Sequence, residues 1–251
     1  MTSSSLHVTA WQQPDASSAW RRQVARAFSR ASDRYTRLAQ AQQRMGEALW
    51  PLLPARAAHV LDLGCGPGLW CGRLAERFGN ECRVLGLDLA PGMLETARRE
   101  TTAPVDWLCA DAASLPLASG QLDVVFSNLA LQWCPDLDVV MAEIHRVLRP
   151  GGRAVINSLG PDTLREVAHA WSSPGALLDF RSRAHHLASA YRAGFAQACC
   201  TNVLERFFYP DLTAVMASIK GVGAQTPRAS ARLTRSDLER AARRYDSLRE
   251  P

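Results

Sequence analysis

The sequence lacks any apolar run long enough to span a bilayer, and it lacks the start of a secreted protein. No apolar stretch approaches the roughly 18–20 residues that a membrane helix requires. The segment from Met1 to Trp20 is polar and rich in serine, without the basic start and apolar core of a signal peptide. These absences predict a cytoplasmic protein in which residues 1–19 are a flexible leader.

Metal-ligand spacing is missing as well. The seven cysteines are odd in number, and no two of them form a C-x-x-C pair. We therefore expect reduced, mostly structural cysteines and no bound metal.

The composition is otherwise that of an ordinary globular domain with an excess of positive charge. The 251 residues, 47% of them hydrophobic, suffice for one large domain with its own core. Lysine and arginine together number 29 against 24 acidic residues, a net charge of +5 that favours an acidic partner or substrate. Nucleic acid is one such partner, and charge alone does not choose between them.

Residues 20–54 are predicted to form a helical cap that precedes the main fold. Between Trp20 and Trp50 apolar residues recur at helical spacing, which indicates one or two amphipathic helices. Roughly opposite to them lies a row of five arginines, which we call the basic stripe: Arg22, Arg26, Arg30, Arg34 and Arg37. The usual role of such a charge run is simply to face water.

After Pro54 the sequence changes to short apolar runs that alternate with helical segments. The predicted strands are His59–Leu63, Arg83–Leu89, Val105–Leu108, Leu122–Ser127 and Arg153–Ser158. The predicted helices are Leu69–Phe78, Met93–Glu100 and Leu137–Leu148, the last of them ended by a turn at Arg149–Gly152. This alternation predicts right-handed βαβ units and a doubly wound, mostly parallel α/β sheet over residues 55–160.

Residues 161–251 are predicted to complete the same domain. A helix over Thr163–Trp171 leads into a less regular stretch, Ser172–Ala190, interpreted as a lid-like insertion that covers the strand ends and binds substrate. A sixth strand is predicted at Val203–Tyr209. Two helices follow, at Leu212–Lys220 and Thr234–Leu248, and the second begins with the capping box Thr234-x-x-Asp237.

The strongest local signal is a buried strand that runs into a glycine turn and then a helix, within His59–Gly68. Gly64, Gly66 and Gly68 let the backbone turn sharply and approach a ligand closely. NAD enzymes use a similar turn, but their pattern requires a small residue where Leu69 stands. The G-x-G-x-G spacing therefore favours a methyl donor over a pyrophosphate.

Polar side chains follow the next three strands. Asp88 ends the second strand, where a carboxylate can accept hydrogen bonds from both hydroxyls of a ribose. Asp111 can accept a hydrogen bond from an adenine amino group while the N–H of Ala112 meets a ring nitrogen, or it can cap the next turn. Asn128, at the end of the fourth strand, is expected to line the site of methyl transfer.

Together these motifs resemble the class I S-adenosylmethionine (SAM)-dependent methyltransferases over about residues 57–158. The resemblance implies that SAM is the cofactor and S-adenosylhomocysteine the product. It also implies a binding site formed by Asp62, Gly64, Cys65, Gly66, Gly68, Asp88, Leu89, Asp111, Ala112 and Asn128.

Three flanking motifs carry a closer resemblance that covers nearly the whole chain. They are Ala27-Phe28-Ser29-Arg30-Ala31 with Tyr35, Ser127-Asn128-Leu129-Ala130-Leu131-Gln132-Trp133-Cys134, and Ser218-Ile219-Lys220-Gly221-Val222-Gly223-Ala224. All three are similar to the malonyl-acyl carrier protein O-methyltransferase family. This resemblance implies methylation of the free carboxylate of a malonyl group on acyl carrier protein or coenzyme A, early in pimelate and biotin synthesis. The chain is expected to act as a monomer.

A carboxylate acceptor needs no general base, because its ordinary pKa near 4 leaves it ionised at pH 7. Catalysis would rest on positioning and on exclusion of water. Arg30 or Lys220 could hold the carboxylate, and Tyr35 could close over the site. The alternatives are that Lys220 is a solvated helix end and that Tyr35 belongs to the core.

Two surfaces could dock an acyl carrier protein, because such carriers are acidic. One is the basic stripe. The other is formed by Arg181, Arg183 and Arg192, and the sequence does not decide between them.

Class I methyltransferases usually finish with an antiparallel seventh strand between strands five and six, and no such strand follows the last predicted helix. We therefore expect a truncated chain with an unpaired edge at strand five. Other functions stay open at this point: a small-molecule or tRNA methyltransferase, a SAM-binding protein without catalytic activity, and a nicotinamide oxidoreductase.

Overall fold

The computed structural model describes residues 16–171, 178, 180–224 and 234–248, and in these ranges five parallel strands form the centre of the fold. The strands are β1 His59–Leu63, β2 Arg83–Asp88, β3 Val105–Cys109, β4 Leu122–Asn128 and β5 Leu148–Asn157. Their order in the sheet is β3-β2-β1-β4-β5, and every neighbouring pair is parallel. The predicted doubly wound α/β fold is therefore confirmed.

The helices pack against the faces of this sheet or against one another. They are α1 Ala16–Leu38, α2 Gln40–Glu47, α3 Leu69–Phe78, α4 Pro91–Glu100, α5 Leu137–Val147, α6 Arg165–Trp171, α7 Arg183–Ala193, α8 Leu212–Gly221 and α9 Arg235–Asp246. The cap consists of two helices, α1 and α2, and α1 begins at Ala16, inside the segment predicted to be a flexible leader. The capping box that starts α9 is present as predicted.

The two central strands, β1 and β4, are buried along most of their length because successive side chains pack on opposite faces of the sheet. On one face Val60 and Phe126 pack against Trp70 of α3, whose ring lies 5.5 Å from that of Phe126. On the other face Leu61 packs against Ile144 of α5. Burial on both faces holds the strand ends rigidly, which is what a binding site at those ends requires.

The order of the strands also locates a ligand site. β1 lies between β2 and β4, so the direction of chain progression reverses at β1. Ligands of open α/β sheets bind at the carboxyl ends of the strands beside such a reversal. A ligand is therefore expected at the ends of β1, β2 and β4.

The predicted sixth strand is wrong. Residues Val203–Tyr209 have no strand partner in the described part of the chain, and the side chains of Val203, Leu204 and Phe208 are 69–81% exposed. An open cleft separates this segment from β5, which is an edge strand within the described ranges. A β-rich composition cannot make a strand without a neighbour that completes its hydrogen bonds.

The turn predicted at Arg149–Gly152 lies within a strand and does not separate a helix from it. α5 ends at Val147, and β5 begins at once because Leu148 pairs with Leu122. The next paired residue of β5 is Arg153, so the four residues between bulge out of the sheet. Gly151 adopts a φ of +78°, a conformation that favours glycine at such a bulge.

The insertion Ser172–Ala190 is more regular than predicted. Its second half belongs to α7, which packs against α5 and is capped by the side chain of Ser182. Residues 172–177 and 179 lie outside the described ranges. No helix within those ranges is both long and apolar enough to cross a membrane.

Candidate functional site

The glycine turn after β1 contains Gly64, Gly66 and Gly68. Together with Asp88 at the end of β2 it forms an open recess, which we call the cradle. The N–H groups of Gly64 and Cys65 donate to the carbonyl of Leu87 at 2.8 and 3.0 Å, which ties the turn to β2. Gly66 has a φ of +54°, and a side chain added there would meet no atom within 4 Å. A Cβ on Gly64 would instead lie 2.3 Å from Ala130. Backbone therefore faces open space only at Gly66, where a ligand can approach it closely.

Asp88 holds this turn from the end of β2. One carboxylate oxygen accepts the N–H of Gly66 at 2.9 Å, and the other accepts the N–H of Ala90 at 2.8 Å. Burial raises the pKa of Asp88, and these backbone hydrogen bonds oppose the rise. Each oxygen keeps a further lone pair, so the carboxylate is fixed in place and can still accept hydrogen bonds from a ligand.

Asp62 and Cys65 support the turn from within the protein. Asp62 is only 1% exposed and accepts a hydrogen bond of 3.2 Å from the thiol of Cys71. Burial raises the pKa of Asp62 to about 7, and the nearby charge of Asp88 adds to the rise. Cys65 is also buried, and burial raises the pKa of its thiol to about 11. Both residues therefore lie in the core beneath the cradle.

A groove of about 660 Å³ lies between α1 and the ends of β2 and β3, and Arg30, Leu89 and Asp111 line it. Asp111 forms an ion pair of 2.5 Å with Arg21 of α1, and its other oxygen accepts the N–H of Ala113 at 2.9 Å. The turn-capping role left open for Asp111 is therefore present, and the ion pair holds α1 over the groove. Ala112 lies half-buried beside it.

The end of β4 carries buried polar atoms without partners. The amide nitrogen of Asn128 donates to the carbonyl of Gln42 at 3.1 Å, but its Oδ1 atom has no partner among the described residues. The Oε1 atom of Gln42 is likewise buried and unpaired. Buried polar groups are almost always hydrogen-bonded. These two oxygens therefore suit the polar groups of a ligand, and no sequence signal pointed to Gln42.

An aromatic cluster joins α1 to the turn after β4. The indole N–H of Trp20 donates to the carbonyl of Trp133 at 2.9 Å, and the ring of Phe28 meets Trp133 edge-on at 5.1 Å. The ring of Tyr35 lies 6.5 Å from Phe28. Burial, with a smaller effect of the Asp88 charge, raises the pKa of Tyr35 well above its ordinary value. The phenol thus stays neutral near the cradle and keeps its proton for donation.

The two predicted cations lie at exposed positions. Arg30 is exposed on α1 at the rim of the groove, and Lys220 is exposed in the last turn of α8. The motif that contains Lys220 packs on α1, because a Cβ on Gly223 would lie 3.1 Å from the carbonyl of Ala27.

Arg181 is the cation that the structure places beside the turn after β4. It donates to the carbonyls of Cys134 and Pro135 at 2.7 and 2.9 Å, and no described acid pairs with it. It lines a cleft of about 2970 Å³ together with Trp133 and Ser158. The sequence had indicated this residue only as part of a docking surface, because its approach to the turn depends on the fold.

The part of the chain that forms the cradle matches a known protein family. Residues 61–156, which include the cradle and β4, match the family described as Methyltransferase domain. A solved S-adenosylmethionine-dependent methyltransferase from Mesorhizobium loti is 25% identical, with a TM-score of 0.53, over 76% of this chain and 95% of that one.

Two curated relatives are similar over most of the chain. The malonyl-[acyl-carrier protein] O-methyltransferase of Enterobacter lignolyticus is 39% identical over 86% of each chain. The biotin biosynthesis bifunctional protein BioHC of Cellvibrio japonicus is 33% identical over 98% of this chain and 53% of that protein. The chain therefore spans about half the length of the bifunctional relative.

Proposed function

The chain belongs to the malonyl-[acyl-carrier protein] O-methyltransferase family, and from this premise we propose that it transfers a methyl group from SAM to the free carboxylate of a malonyl group on acyl carrier protein. The product would be the malonyl methyl ester, formed early in pimelate and biotin synthesis, and malonyl-coenzyme A is the alternative substrate. The observation that carries the proposal is the cradle, with Asp88 fixed beside the open backbone of Gly66.

The residues around the cradle fit a nucleoside-bearing methyl donor. Asp88 would accept hydrogen bonds from the ribose hydroxyls, and Leu89 would pack against the adenine in the groove below α1. The N–H of Ala112 and a remaining lone pair of Asp111 would meet the adenine edge. Asn128 would offer its unpaired Oδ1 atom. When bound, SAM supplies an electrophilic methyl group.

The protein would need only to position the acceptor carboxylate and to exclude water from the site. The malonyl carboxylate is already ionised at neutral pH, so no residue needs to remove a proton. Trp133 and Tyr35 would exclude water beside the strand ends, and the neutral phenol of Tyr35 could donate a hydrogen bond to the acceptor. These roles are positional, which agrees with an acceptor that needs no general base.

A cation would hold the acceptor carboxylate. Arg30 and Lys220 stay as predicted candidates, and we add Arg181 and favour it. Its guanidinium has no acid partner among the described residues, and it lies against the carbonyls that follow Trp133. A fixed guanidinium without a counter-ion is suited to bind a carboxylate.

The test is transfer of radiolabelled methyl from SAM to malonyl-acyl carrier protein. Malonyl-coenzyme A, acetyl-acyl carrier protein and bulk tRNA are assayed in parallel. We expect base-labile label on the malonyl substrates and none on the acetyl carrier, which has no free carboxylate. Label on tRNA, or SAM binding without transfer to any malonyl substrate, would contradict the proposal.

The same assay identifies the cation. Arg181→Gln is expected to raise the KM for the malonyl substrate by about 10-fold or more while the Kd for SAM stays unchanged, since a charge-assisted hydrogen bond contributes roughly 1.5–3 kcal/mol. Arg183→Gln, at an exposed position two residues away, is the matched control. If Arg30→Gln or Lys220→Gln gives this effect and Arg181→Gln does not, the assignment moves to that residue.

A further inference from the structure

The positive charge of this protein is concentrated in one helix. α1 contains six arginines and one aspartate, a net charge of +5. The whole chain has a net charge of +5. Charges in the rest of the sequence therefore balance, and the excess that favours an acidic partner belongs to α1 alone.

Two charged side chains of α1 lie outside the basic stripe, and both form ion pairs, whereas the arginines of the stripe form none within the described ranges. Arg21 pairs with Asp111, and Asp33 pairs with Arg99 of α4 at 2.9 Å. All five arginines of the basic stripe are exposed, and none pairs with an acid among the residues that the structure describes. Like charges one helical turn apart repel each other, so the stripe does not stabilise α1.

The other face of α1 is packed, which fixes the direction of the stripe. Val24, Ala31 and Ser32 are buried on that face. The stripe therefore points away from the sheet. Its Arg22, Arg26 and Arg30 form the lip of the groove that leads to Asp111 and Leu89.

The second surface that the sequence offered is largely occupied by contacts within the protein. Arg192 pairs with Asp138 of α5 at 2.7 Å, and Arg181 is half-buried against the turn after β4 rather than on the outer surface. Of the three arginines only Arg183 is both exposed and without an acid partner among the described residues. A single arginine is a poor platform for a folded acidic partner.

We propose that the basic stripe is the docking surface for the acidic carrier domain that presents the malonyl group, an inference that rests on the proposed function. The carrier docks on the outer face of α1, next to the rim of the groove. Complementary charge on an exposed rim contributes mainly to the rate of encounter and to salt dependence. An RNA would meet the same charges, but nothing else in the described site favours a nucleotide chain as acceptor.

The test compares two double variants with the same change in charge. The first is Arg34→Glu/Arg37→Glu, which spares the three stripe arginines that line the groove. The control is Arg56→Glu/Arg243→Glu, at exposed positions outside the stripe without ion pairs in the described structure. Fluorescence anisotropy measures the Kd of labelled malonyl-acyl carrier protein at several salt concentrations, and calorimetry measures the Kd of SAM.

We expect the stripe variant to bind the carrier about 10-fold or more weakly at low salt and to lose most of the salt dependence. The control variant should stay within about twofold of the original protein, and SAM should bind equally to all three proteins. Equal carrier binding by both variants would overturn the proposal, as would stripe-dependent binding of tRNA with none of the carrier.

The outcomes separate this inference from the proposed function. Stripe-dependent carrier binding without methyl transfer would sink the function and leave the docking surface standing. If methyl transfer occurs and the stripe variant does not alter it, the docking surface would be wrong and the proposed function would stand.

Discussion

Asp88 joins the local backbone to the ligand site, since its two oxygens hold the N–H groups of Gly66 and Ala90 and still face the cradle. Asp88→Asn keeps the shape of the side chain and removes the charge. We expect the Kd for SAM to rise by about 10- to 100-fold, because hydrogen bonds to a charged group contribute roughly 1.5–3 kcal/mol. Isothermal titration calorimetry measures this directly.

Asp106→Asn is the matched control, because Asp106 lies on the neighbouring strand with an exposed side chain paired to Arg83. Its Kd for SAM should equal that of the unaltered protein. An unchanged Kd in Asp88→Asn would remove Asp88 from the binding site.

Local spacing in the sequence predicted only part of the site. Gly64, Gly66 and Asp88 come together as expected, because they stand at the carboxyl ends of β1 and β2, the neighbouring strands of one βαβ unit. Their role in binding SAM stays a prediction. Gln42 and Arg181 were missed as site residues, since they reach the end of β4 only when a distant helix or insertion folds against it.

Among the elements, α1 governs access to the groove because it packs very closely on α4. A Cβ on Gly92 would lie 2.9 Å from the backbone of Ser29. Gly92→Ala should therefore push α1 away, lower the free energy of unfolding by about 1–3 kcal/mol and weaken SAM binding. Urea denaturation and calorimetry measure the two effects.

Gly72→Ala, within α3, is the control for this change. The nearest atom to its added Cβ would lie 3.8 Å away, an ordinary contact. Since alanine is the better helix former, this variant should be more stable by up to about 1 kcal/mol. Equal stability losses in both variants would show that the approach of α1 to α4 is not the cause.

The stability of the whole molecule should depend on the protonation of Asp62. Burial raises its pKa to about 7 in the folded protein, above the value of the unfolded chain. The folded state therefore binds more protons between about pH 4 and 7, and this contribution to stability is lost as the pH rises through that window. Carboxylates with lowered pKa values, such as Asp123 and Glu143, act oppositely and lose their contribution only in acid.

Asp62→Asn isolates the effect, because it removes the titrating group and keeps the shape. The free energy of unfolding of the unaltered protein, minus that of the variant, should fall as the pH rises from about 4 to 7 and then stay level. Urea denaturation at several pH values checks this. A difference that does not change with pH would mean that Asp62 is ionised in the folded state throughout.

The class of fold and the family could be predicted from the sequence. Alternating apolar strands and helices, the glycine turn and Asp88 depend on period and local spacing, which do not require knowledge of the final packing. The sequence could not decide the partner of a strand. Val203–Tyr209 has a strand-like composition, yet no described neighbour completes its hydrogen bonds, so it stays irregular.

Which of the basic side chains stay exposed depends on the tertiary structure. The basic stripe and the group Arg181, Arg183 and Arg192 are equally basic as sequence. Only the fold pairs Arg192 with Asp138 and holds Arg181 half-buried against the carbonyls of Cys134 and Pro135, whereas the five arginines of the stripe stay exposed. The physical reason is that the groups that pair with a charge or bury it come from distant parts of the chain.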